Sequence, residues 1–174
     1  MRLKEHAICL IFCVLSGTMF SQTLIAVTLP VVTLLDIEPA GTFTLNFTAP
    51  TEAGQALTAP ASNTAKWVNY TSAITSGGLT RRVTASVNQL IPGVNIRIQA
   101  AAASGAGGGT LGTSSGLVTL STTAATIITG IGGAFTGNGP NNGHKLTISL
   151  VVNTYANLSA ITNIPVVITY TITE

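Results

Sequence analysis

Apolar and polar residues alternate at a spacing of two along much of this chain, the pattern of strands that bury one face and wet the other. Phe43, Leu45 and Phe47 alternate with Thr42, Thr44, Asn46 and Thr48. Val83, Ala85 and Val87 alternate with Arg82, Thr84, Ser86 and Asn88, and beyond the Pro92-Gly93 step Val94, Ile96 and Ile98 alternate with Asn95, Arg97 and Gln99. These two runs predict a hairpin that turns at Pro92-Gly93. Leu146, Ile148, Leu150 and Val152 alternate with Lys145, Thr147 and Ser149, while Val166, Ile168, Tyr170 and Ile172 alternate with Thr169, Thr171 and Thr173. Less regular strands are expected over residues 24–35, 66–74, 117–120 and 126–129, for about eight or nine in total.

Breakers separate these runs: Glu38-Pro39-Ala40-Gly41, Ser76-Gly77-Gly78, and the Asn138-Gly139-Pro140 and Asn142-Gly143 steps. Pro30 marks an edge position or a strand break, because proline cannot donate to a ladder. Many short strands with such turns predict an all-β chain folded as a single antiparallel β-sandwich, immunoglobulin-like or pilin-like, with a barrel as the alternative. Residues 104–116 are rich in Gly and Ser and read as a mobile surface loop. Residues 130–135 read either as a tight crossing of backbones or as another loop.

Composition strengthens the all-β reading. Only 7% of the 174 residues are charged. Surface helices need charged or long polar side chains on their outer face, whereas a sheet can present Thr, Ser and Asn. The N-terminus changes the expected compartment. A basic head, Met1-Arg2-Leu3-Lys4-Glu5-His6, precedes an apolar run over residues 7–20, shorter than the roughly 20 residues of a bilayer span. We expect a signal peptide over residues 1–21 and one secreted or surface-exposed domain over residues 22–174, with no integral membrane segment after cleavage. An uncleaved anchor over residues 7–35 is the alternative, interrupted by Ser16, Gly17, Ser21, Gln22 and Pro30. Cys9 and Cys13 both fall in the apolar run, so the processed chain would carry no thiol and no disulfide.

Candidate chemistry is sparse. Beyond the expected cleavage point the acids are Asp36, Glu38, Glu52 and Glu174, and His144 is the one imidazole. A nucleophile needs a neighbouring base and a group to orient it, and glycoside hydrolysis needs two opposed carboxylates. His144, just past the Asn142-Gly143 turn, reads as a solvated loop residue, and the expectation is that the chain is not an enzyme. Asp36 and Glu38 share one face of an extended segment and read as a solvated edge or a weak cation site. A calcium cage takes six to eight oxygens, so no metal and no cofactor are expected. Gly105-x-Gly107 and Gly130-x-Gly132 lack the Gly-Lys-Ser/Thr ending of a phosphate loop. Lys66, Arg81, Arg82, Arg97 and Lys145 are too few and too scattered for nucleic acid. Asn46-Phe47-Thr48, Asn69-Tyr70-Thr71 and Asn157-Leu158-Ser159 match the N-glycosylation pattern.

The apolar segment at residues 24–35 and the closing run Pro165-Val166-Val167-Ile168-Thr169-Tyr170-Thr171-Ile172-Thr173 resemble bacterial exported β-sandwich subunits of the pilin kind, including the spore-coat-U-like relatives of chaperone–usher pilins. The chain departs from many of these in having no disulfide and no glycine notch in the first segment. The resemblance implies a structural or assembly subunit of a cell-surface layer or fimbrium that self-associates, or joins other surface subunits, by strand addition, with a periplasmic chaperone as a further partner. It implies that Val27, Leu29 and Val31 are donated side chains, and that Ile168, Tyr170 and Ile172 line the acceptor groove or belong to the last strand. Pairing of residues 24–35 within their own domain is the alternative.

Two other functions remain open at this stage. A carbohydrate-binding or adhesive module without catalysis would use an aromatic platform, for which Trp67 and Tyr70 are the candidates. Thr42 with Thr44, and Thr169 with Thr171 and Thr173, would offer regularly spaced hydroxyl and methyl groups to ice.

Overall fold

The computed structural model describes residues 22–174, so the expected signal peptide, with Cys9 and Cys13, lies outside the described residues. Among the described residues the strands are β1 (Val32–Glu38), β2 (Asn63–Ala73), β3 (Arg81–Val87), β4 (Val94–Ser104), β5 (Gly108–Ser114), β6 (Leu117–Thr119), β7 (Ala125–Phe135), β8 (Gly143–Val152) and β9 (Ile168–Thr173). One 3-10 turn, Tyr155–Asn157, is the remaining regular element. The fold is all-β, as the alternation predicts, and no described helix is long and apolar enough to cross a membrane.

Every ladder is antiparallel, and the strands join in the order β6-β4-β8-β2-β7-β3-β9, with β1 added to β2 and β5 to β7. The sheet folds over on itself at β2. The first half of β2 pairs with β8 through Asn63 to Val68, and its second half meets β7 through Thr71 opposite Phe135 and Ser72 opposite Ala134. The inner faces of the two limbs close on each other as a sandwich. Val68, Ile98, Leu146 and Ile148 from one limb share a single core with Val83, Ile127, Ile128 and Ile131 from the other. Burying each such side chain contributes about 1.5–3 kcal/mol relative to exposure.

Four local expectations need correction. The hairpin at Pro92-Gly93 does not form: β3 pairs with β7 and β9, β4 pairs with β6 and β8, and the connection retains only an isolated bridge between Ile91 and Val94. β3 and β4 lie in different limbs of the sheet and turn their alternating apolar faces into the same core, which buries Val83, Ala85, Ile96 and Ile98 without joining the two edges. Residues 104–116 are no mobile loop, since β5 pairs with β7 from Gly108 to Ser114. Their glycines admit a close approach of two backbones: at Gly109, with φ at 87°, a Cβ would meet the Gly133 carbonyl oxygen and lie 2.9 Å from the Ala134 Cα. Residues 42–48 form no strand although Phe43 and Leu45 pack on the core, and their one bridge, between Thr48 and Thr58, joins two segments outside the named strands. The first strand begins at Val32, two residues after Pro30, and residues 22–31 form no strand.

The run at residues 126–129 extends into the eleven-residue β7 because irregular pairing absorbs its lack of alternation. From Val83 to Thr84 on β3 the partner on β7 moves from Ile128 to Thr126. The extra residue lets Ile127 and Ile128, neighbours in sequence, both reach the core.

Candidate functional site

Residues 22–31 are exposed throughout and pair with no strand. Ile25, Val27, Leu29 and Val31 repeat at every second position, with exposures of 76, 74, 87 and 59%, and Leu24 adds a fifth large apolar side chain at 96%. Scattered exposed leucines are ordinary on a monomer, whereas these five large apolar side chains are exposed within a single run of eight residues.

The root of this segment is clamped. Arg81 at the start of β3 is 3% exposed, and its Nη1 donates to the Val32 carbonyl at 2.5 Å and to Ser72 Oγ at 3.0 Å. Its Nη2 lies 3.8 Å from Glu174 Oε1. One guanidinium therefore fastens the start of β1, the end of β2 and the residue that follows β9. Sequence reading missed this role, because Arg81-Arg82 looks like an ordinary solvated pair until β3 shows Arg81 turned inward and Arg82 outward.

β1 and β9 approach each other near this clamp, and among the described strands each has one bonded edge only, to β2 and to β3. Ile168, Tyr170 and Ile172 belong to the last strand, half-buried on its inner face and packed on the core. Burial pushes the Tyr170 phenol above its ordinary pKa. Val27, Leu29 and Val31 make no ladder contact with them in this copy.

A second polar cluster sits inside the sandwich. His144 is fully buried at the start of β8, not solvated as its place after a turn suggested. Its Nδ1 donates to the Ala101 carbonyl at 2.8 Å, since a carbonyl can only accept. Its Nε2 lies 2.9 Å from the Tyr70 hydroxyl and 3.1 Å from the Leu111 carbonyl, and the same hydroxyl donates to Leu111. The two rings stack at 5.8 Å between centroids. Four strands, β2, β4, β5 and β8, are pinned through this pair. Desolvation by burial raises the Tyr70 phenol pKa.

Tyr70 is thus no exposed platform. Trp67 is half-buried on the opposite face of β2, between Glu38 on β1 and Lys145 on β8, so the two aromatics cannot form one surface. Asp36 is exposed on β1, and among the described residues no group of three His, Cys, Asp or Glu comes together. Of the three glycosylation patterns, Asn46 and Asn157 are exposed, whereas Asn69 is buried with its Nδ2 donating to the Asn142 carbonyl at 2.7 Å. Thr169, Thr171 and Thr173 do line the outer face of β9, while Thr42 and Thr44 lie outside any strand. No protein-family model, curated protein or solved structure matches the chain.

Proposed function

We propose that this chain is an exported structural subunit of a cell-surface layer or fibre, in which residues 22–31 of one copy add as a strand to the free edge of β9 in the next. The observation that carries the reading is the exposed, every-second-residue apolar row Ile25, Val27, Leu29 and Val31, unpaired in its own domain. Its period matches that of β9, where Ile168, Tyr170 and Ile172 alternate with exposed Thr residues and remain only half-buried. Ten extended residues span about 33 Å, more than the roughly 20 Å of a six-residue strand. The donated row therefore covers the whole of β9. Full burial of four such side chains is worth about 6–12 kcal/mol before the entropy of ordering the segment is subtracted. Ladder hydrogen bonds add register and affinity.

Donor and acceptor are different surfaces, so the contact is head-to-tail and generates an open filament unless it is exchanged reciprocally. A chaperone that occupies the same edge before assembly fits this scheme, as does the pilin-like resemblance of the two terminal segments. The test is to compare the protein with a Val27→Asp, Leu29→Asp double variant by negative-stain microscopy and size-exclusion chromatography. Polymers or ladders of oligomers are expected for the parent chain and monomers for the variant. A parent chain that stays monomeric at high concentration, with unchanged folding, overturns the proposal.

A further inference from the structure

We infer that the outer face of β1, β2 and β7 carries a binding cleft for a neutral saccharide. Register places its parts side by side. Leu34, Thr71 and Phe135 form one row across the three strands, and Asp36 with Asn69 forms the next row. Together with the loop that follows β7 they line an open cleft of about 540 Å³. Leu34 and Phe135, on either side of Thr71 in that row, are 64 and 53% exposed, an unusual state for two large apolar side chains on one face of a sheet.

The polar side of the cleft is held in place before any ligand arrives. Asn142 fixes the loop by donating from Nδ2 to the Asn138 carbonyl at 2.8 Å and by accepting from the Ala106 N–H through Oδ1 at 2.9 Å. Its own carbonyl accepts from Asn69 Nδ2. Asn69 Oδ1 is buried and has no hydrogen-bond partner among the described residues. Asp36 accepts from the Ile37 N–H at 2.7 Å through one oxygen, which leaves the other for a ligand. Asn138, exposed on the loop, brings both a donor and an acceptor.

This combination selects one ligand class. A pyranose has an apolar C–H face for Phe135 and Leu34 and an edge of hydroxyls that donate to a carboxylate and exchange hydrogen bonds with amides. The lining contains a carboxylate and no cation, so phosphates, sulfates and acidic sugars are repelled. One carboxylate is too few for a calcium cage. The cleft is wide open, so each copy holds its ligand weakly, and useful retention comes from many copies acting together.

The test is a glycan array of neutral and acidic oligosaccharides, probed with the purified protein clustered on beads. The parent chain is expected to retain a subset of neutral glycans, and Asp36→Asn and Phe135→Ala to lower retention about tenfold or more. Both positions are exposed, so the variants should keep the parent circular-dichroism spectrum. The Val27→Asp, Leu29→Asp variant should retain the same glycans, because the cleft does not depend on assembly. No retention of any neutral glycan by the folded parent chain overturns the inference. So does retention unchanged in both cleft variants, or abolished only by Trp67→Ala.

Discussion

Alanine at three glycines of the β5–β7 region separates backbone strain from close packing. Gly133 has no left-handed φ and nothing within 4 Å of an added Cβ, so Gly133→Ala should be neutral or gain up to about 1 kcal/mol from the loss of unfolded-state freedom. Gly130 has φ at 74° but equally open surroundings. The left-handed conformation alone costs an alanine there about 1–2 kcal/mol. Gly109 combines φ at 87° with a methyl that would collide with the Gly133 carbonyl oxygen and the Ala134 Cα. Backbone cannot rotate away as a flexible side chain can, so β5 must lift from β7. Adding an overpacking cost of about 1–3 kcal/mol brings the total for Gly109→Ala to roughly 2–5 kcal/mol. Urea denaturation followed by circular dichroism, in the assembly-deficient background, should rank the variants Gly133, Gly130, Gly109 in rising damage. If Gly109→Ala destabilises no more than Gly130→Ala, then β5 is not seated on β7, and residues 104–116 are the loose loop that their composition suggests.

Two further outcomes concern the clamp and the buried phenols. Arg81→Met removes charge-assisted bonds to the Val32 carbonyl and Ser72 and should cost about 2–4 kcal/mol, with hydrogen exchange accelerated most over residues 33–38; unchanged exchange there refutes the clamp. Burial raises the phenol pKa of Tyr70 and Tyr170 in the folded state, so the folded chain keeps protons that the unfolded chain releases above pH of about 10. Stability should therefore be full below that pH and fall as pH rises beyond it, with two of the three tyrosines resisting spectrophotometric titration until the chain unfolds; all three titrating together in the folded state refutes the burial.

The faces of strands were more legible in this chain than their partners. Residues 146, 148 and 150 announce a buried face, and extending that period back by two reaches His144, whose burial was available from the pattern but was masked by the turn just before it. Trp67 and Tyr70 stand three apart, and on one strand an odd spacing puts side chains on opposite faces. Edge partners follow from the three-dimensional closure of the sandwich and leave no local trace. That is why β3 and β4 look like a hairpin although they sit in different limbs of the sheet and share only the core. Glycine was ambiguous for a different reason: the missing side chain that makes a loop flexible also lets two strands touch, and composition does not tell these uses apart.

The way sheets protect their edges bears on which free edge would receive the proposed donor strand. Proteins blunt edge strands with charges, prolines and bulges so that no other chain adds to them. β1 is protected in this way: Asp36 and Glu38 lie along it and Pro39 ends it. β9 has no charged residue and no proline between Ile168 and Thr173, and its outward side chains are three threonines compatible with a further strand. Its inward side chains, Ile168, Tyr170 and Ile172, are apolar and incompletely covered. An unguarded edge in a chain with an exposed apolar segment would be an aggregation hazard if the two were meant to stay apart. Their coexistence, together with a buried arginine that roots the segment beside the end of β9, is what favours β9 over β1 as the acceptor.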